Sequence, residues 1–185
     1  FGTLSKNQQQ SFKDQAINYP QVDRLGQVIT LSGSQLASKF SNLQSLAGPI
    51  TPLVNMTAPI YVPGVSAVTG SNTLTAGVIT TMLVGCSFIL ADATEVDLVP
   101  VGFFLVIKAT ASFSEGFNAP KAKDFRVIQV QAAGVDMVDR SIAIDYKAKF
   151  GNNAIAGQKY FVSLELVSRS TPQSSSPNIT FAQWV

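Results

Sequence analysis

The stretch Val101-Gly-Phe-Phe-Leu-Val-Ile107 carries no polar side chain. An extended chain through it has two faces, and neither can be left in water. A short run rich in Phe, Val and Ile reads as a strand sandwiched between layers or between subunits. Pro100 and Gly102 punctuate its start. From residue 50 onward the chain repeats this character, with Val, Ile, Thr and Phe in short runs separated by Gly, Pro and Asn. The pattern predicts strands near 58–63, 73–82, 84–91, 101–113, 125–132, 140–150 and 158–168.

The clearest alternation lies in Ser141–Phe150. Ile142, Ile144, Tyr146, Ala148 and Phe150 share one side, and Asp145, Lys147 and Lys149 the other. Strict period two predicts one buried and one wet face. After a surface loop at 151–157, the chain should return with Tyr160, Val162, Leu164 and Leu166 inward. Ser170–Pro177 reads as a linker, and Asn178–Val185 as a terminal strand or anchoring tail plugged by Trp184.

Upstream, Leu36, Phe40, Leu43 and Ala47 recur at i, i+4, i+7 and i+11. That spacing predicts a helix over 34–47, capped by Ser34 and stopped by Gly48-Pro49. Residues 1–33 read as an arm with apolar anchors too dispersed for a core of their own. Within it, Ser5 and Gln8 suit a capping box for a short helix at about 6–17, and 27–32 suits a strand. The expected fold is therefore mainly β, an antiparallel β-sandwich or jelly roll with an N-terminal arm and one short helix. Its domains are the arm, 1–33, and a single β-rich domain, 34–185, which includes helix 34–47 and tail 170–185.

Composition narrows the chemistry. The 185 residues contain 13 Lys and Arg against 11 Asp and Glu, a net charge of +2. The basic residues are scattered, with one local group at Lys121, Lys123 and Arg126, so no specific nucleic-acid partner is expected. Histidine is absent, which removes the commonest general base and transition-metal ligand. Cys86 is the only cysteine and sits in an apolar run, so it reads as a buried small hydrophobe. The opening FGTLSKNQQQ does not read as a signal peptide. The longest apolar runs, VITTMLVGCSFILA and VDLVPVGFFLVI, are interrupted by Thr, Gly, Pro or Asp, so no membrane span is expected.

No nucleophile elbow, phosphate loop or dinucleotide fingerprint is present. Asp92, Glu95 and Asp97 form the densest acidic group and are the one weak metal candidate. They lack the order of a calcium loop and read as a polar turn. Asp136, Asp139 and Arg140 form a smaller group read as a surface turn. Asn55-Met56-Thr57 and Asn178-Ile179-Thr180 match the glycosylation sequon. The expectation is a non-enzyme with no catalytic residue and no cofactor.

The most unusual feature is electrostatic. Between Lys39 and Asp92 no side chain is charged, yet Ser, Thr, Gly, Pro and Asn are frequent. About a quarter of residues in an average globular protein are charged. Charge keeps monomers apart, and interface cores are depleted of it. The chain is therefore expected to assemble with itself, with Phe12, Ile17, Tyr19, Leu25, Phe103 and Trp184 as candidate subunit contacts.

The arm FGTLSKNQQQSFKDQ, the helix SQLASKFSNLQSLA and the strand series after Pro59 together resemble jelly-roll coat or decoration proteins of icosahedral viruses and phages. That resemblance implies a self-assembling structural protein located in the virion: a capsid or coat subunit, or a capsid-decoration subunit, which also contacts other virion proteins. The arm departs from a genome-condensing one, since Lys6, Lys13 and Arg24 are offset by Asp14 and Asp23. Two alternatives share the uncharged surface or the β-rich body. One is a subunit of an extracellular filament, pilus or cell-surface layer, and the other is a ligand-binding β-module.

Overall fold

The computed structural model describes residues 1–23, 25–46 and 55–185. Arg24, Ala47 and the Gly48-Pro49 stop signal lie outside the described residues. The chain divides into two compact units, Phe1–Val62 with Val167–Ser174, and Pro63–Leu166 with Ser175–Val185. The described residues form three α-helices and three sheets, and every strand pairing is antiparallel where its register is defined.

The first unit is helical. Helix α1 spans Lys6–Gln15 and runs into a 3-10 turn at Ala16–Asn18. The expected capping box is present: Ser5 Oγ accepts from the Gln8 amide at 3.3 Å, and Gln8 Oε1 accepts from the Ser5 amide at 2.9 Å. Strands β1 (Gln21–Val22) and β2 (Val28–Ile29) form a small hairpin. Helix α2 spans Gly33–Ser45, and its N-cap is Ser32 rather than Ser34, with Gln35 closing a second capping box.

Residues 1–33 do contribute to a core, which corrects the reading of a dispersed arm. Phe12, Ala16 and Tyr19 pack with Leu36, Ala37, Phe40 and Met56. Their spacing of i, i+4 and i+7 is helical, so α1 and its 3-10 extension gather them on one face. The helices approach closely at Gly33, where a Cβ would stand 2.8 Å from Lys13 Cγ and 2.9 Å from Lys13 N. Only glycine fits that crossing without a shift of backbone.

The second unit holds two sheets. Strands β3 (Gly64–Thr75) and β4 (Val78–Ile89) form a long hairpin. The far edge of β4 is shared by β5 (Glu95–Val96) and β8 (Arg140–Ser141). The other sheet has the order β10-β9-β6-β7, with β6 at Phe103–Ala109, β7 at Arg126–Gln131, β9 at Lys159–Ser168 and β10 at Asn178–Gln183. Strand β6 is buried on both faces, as its apolar run requires. On one side of β9, Tyr160 meets Tyr146 and Trp184. On the other, Phe161 meets the edges of Phe113 and Phe117, which stack on each other at 4.1 Å. The segment after β6 thus folds back as a lid over the outer face. There the only ion pair among the described residues, Lys108 to Glu165 at 2.6 Å, is half sheltered.

Three expectations change. Of the strand expected at 140–150 only Arg140–Ser141 is extended, as β8: Ala143–Phe150 forms helix α3, ending at Gly151 with φ +94°. Ile142, Ala143 and Tyr146 are buried, while Ile144 is 78 % exposed. The alternation and a helical stripe share most of the same apolar positions. Ala and Lys suit a helix, as do Asp145 in its first turn and Lys147 and Lys149 in its last, but it is the packing of Tyr146 against Tyr160 and Trp184 that decides between the two. Residues 58–63 are not a strand either, since Pro59 and Pro63 cannot donate to a ladder. Finally, the strand expected at 73–82 is broken by a turn at Ala76-Gly77, both with positive φ, as a two-residue hairpin requires. Alanine is an unusual residue there, so composition hid the turn.

Two substitutions test this placement by chemical denaturation. Ile142→Ala should destabilise the protein by about 2–5 kcal/mol, whereas Ile144→Ala should stay within about 0.5 kcal/mol of wild type; equal losses would restore the strand. Gly33→Ala should cost about 1–3 kcal/mol through overpacking at the helix crossing.

Candidate functional site

The six expected contact residues separate by burial. Phe12 and Tyr19 fill the helical core, and the Tyr19 hydroxyl donates to Thr57 O at 2.7 Å. Phe103 is buried in β6, and Trp184 is buried after β10, its indole N–H donating to Ser112 Oγ at 2.9 Å. These four side chains are committed to their own chain. Ile17 and Leu25 alone among the six are exposed. Leu25 sits in the β1–β2 turn, where Asp23 Oδ1 accepts from the amides of Leu25 and Gln27 at 2.8 and 2.9 Å. Val22 and Val28, paired across that hairpin, are also exposed.

The acidic group does not converge on a common point. Asp92 accepts from the amide and hydroxyl of Thr94, which holds its carboxyl below the usual range. Glu95 accepts from Ser66 Oγ at 2.7 Å, and Asp97 from Ser87 Oγ at 2.9 Å. Each carboxylate is thus held by its own hydroxyl, Asp92 within the β4–β5 turn, Glu95 from β3 and Asp97 from β4. Among the described residues, no group of three or more His, Cys, Asp or Glu is placed to hold a metal. No helix is long and apolar enough to cross a membrane among those residues.

The β3–β4 hairpin carries the charge-free sequence to the surface. Thr69, Ser71, Thr73, Thr75, Thr80 and Thr81 are exposed, and neither strand bears a charged side chain. Thr75 and Thr80 hydroxyls bond across the strands at 2.8 Å. The opposite side is tied inward by Asn72, which donates to Tyr160 Oη at 3.2 Å and to Gln183 O at 2.8 Å. The same side chain accepts from the Val185 amide at 3.2 Å. Cys86 is buried in β4, and burial first, then the nearby Asp97 charge, pushes its thiol to about 12.

Sequence reasoning missed two surfaces. A groove of about 710 Å³ runs beside α2, with Leu31, Leu43 and Leu46 in its wall and Lys39 as its one charged lining residue among those described. On the second unit, Leu98, Val101 and Val138 are exposed next to acidic residues. The signal for the latter was available in Asp97-Leu-Val-Pro-Val-Gly102, where a Pro-x-Gly turn interrupts apolar residues. Most of the groove is one stripe of α2 from Ser34 to Leu46, readable in the spacing of that helix; that Gln21 and Leu31 complete it was not.

No protein-family model, curated protein or solved structure matches the chain.

Burial raises the Tyr146 and Tyr160 hydroxyls from an ordinary 10.0 to about 12. The unfolded chain therefore releases these protons first, and stability falls as pH rises between about 10 and 12. Urea unfolding at pH 8 and pH 11 should show that loss, and Tyr160→Phe should shrink it. A thiol reagent at pH 8 should leave Cys86 unmodified until the protein unfolds.

Proposed function

We propose that the chain is a self-assembling structural protein, a coat or capsid-decoration subunit of a virion, whose β-rich body is a sandwich or jelly roll. The observation that carries this reading is the β3–β4 hairpin. It exposes a hydroxyl-rich face without a single charge, in a chain whose charges are otherwise distributed. Natural edge and surface strands are protected by charge against pairing with copies of themselves; this hairpin lacks that protection. Exposed apolar side chains at Ile17, Leu25, Leu98, Val101 and Phe181 add surface of the kind interfaces bury. The role is one of building material rather than catalysis, in line with carboxylates that are individually engaged by hydroxyls. The partners are further copies of the chain and other virion proteins.

Light scattering at micromolar concentration should give a mass far above 19.7 kDa, and negative-stain images should show closed shells. Fibres would move the protein to the filament class. A stable monomer across physiological salt would remove the assembly reading altogether.

A further inference from the structure

The α2 groove and the exposed turn of the second unit have matching chemistry. In the groove, the Lys39 ammonium donates to Gln21 Oε1 at 2.9 Å, a neutral partner. Burial lowers its pKa, the mark of an ammonium with incomplete solvation. Leu31, Leu43 and Leu46 around it are only half-buried. Among the described residues the site offers an apolar trough with one under-compensated positive charge, so its occupant should be apolar and acidic.

The second unit presents such a feature in rigid form. Pro100-Val101-Gly102-Phe103 is a tight turn closed by the Phe103 amide on Pro100 O at 3.2 Å, with Gly102 at φ +86°. Val101 at its tip is 89 % exposed. The chain leading to it is clamped by backbone bonds from Met137 to Asp97 O (3.0 Å), Val99 to Val135 O (3.0 Å) and Gly134 to Val99 O (2.8 Å). Val99 and Met137 are buried beneath, so Leu98 and Val138 are left outward. Asp97 precedes Leu98, and Asp136 pairs with Leu98 across the bridge. The result is an apolar knob flanked by carboxylates, already ordered before it binds, which lowers the entropic cost of docking.

We infer that the knob bearing Leu98 and Val101 of one copy docks in the α2 groove of the next, with its carboxylates facing Lys39. This contact rests on the self-assembly reading and specifies its geometry. The two surfaces differ, so the contact is head-to-tail, and repetition closes into rings, the multimeric units from which a shell is built, rather than isolated two-fold dimers.

The test uses two full-length variants. Leu98→Arg/Val101→Arg disables the knob and keeps the groove. Ser38→Glu/Asn42→Glu places negative charge at exposed groove positions and keeps the knob. Thermal unfolding confirms that each is folded; Lys39→Glu serves as a second groove variant if the first is not. Each variant alone should self-associate at least tenfold more weakly than wild type by sedimentation. Mixed in equal amounts, they should form one-to-one dimers, because one intact knob then meets one intact groove. Variants that assemble as wild type does would overturn this contact while leaving self-assembly standing. Weakened variants that fail to complement on mixing would mean that another segment fills the groove, and would also overturn it. A monomeric wild type would remove both readings together.

Discussion

Strands β6 and β9 must be buried on both faces, and the second unit is arranged around that demand. A strand such as Phe103–Ala109 cannot stand at a solvated surface of a two-layer fold. Strand β9 next to it is nearly as buried. One side is covered by the aromatic group of Tyr146, Tyr160 and Trp184, contributed by α3, β9 and the chain end. The other is covered by the segment after β6, which returns Phe113 and Phe117 onto Phe161. The position of α3 and the long connection from β6 to β7 follow from the same requirement.

The polar groups inside this unit are paired rather than excluded. Asn72 bonds Tyr160 and two main-chain groups near the chain end, and the Tyr146 hydroxyl donates to Thr110 O at 3.0 Å. Among the described residues no buried side-chain nitrogen or oxygen lacks a partner. Such networks hold a particular register, because a slipped strand would strand the amide without bonds. The helical unit achieves its order differently, through two capping boxes and one close crossing at Gly33.

Charge placement separates the surfaces. The β3–β4 hairpin has none. The region around Leu98 concentrates carboxylates beside exposed apolar groups, and the α2 groove holds, among the described residues, one lysine beside leucines. A chain with a net charge of +2 has little overall repulsion to keep copies apart, so such local patterns govern how copies meet under the proposed assembly.

Much of this was legible in the sequence. The β-rich character, the two-faced strand at 101–107, the helix near 34–47, the Ser5–Gln8 box and the terminal strand with its Trp184 plug all depend on local pattern. The uncharged stretch was likewise read directly from composition. Three features were decided only by tertiary structure. Ser141–Phe150 fits both a strand and a helix, and only the aromatic cluster around Tyr146 selects the helix. Phe12, Ala16 and Tyr19 look scattered until α2 supplies the other half of their core. The Leu98 knob assembles from segments distant in the chain, 97–102 and 134–138, and period and propensity describe only neighbours along it. Burial is a property of what packs against a segment, and that partner is not written in the segment itself.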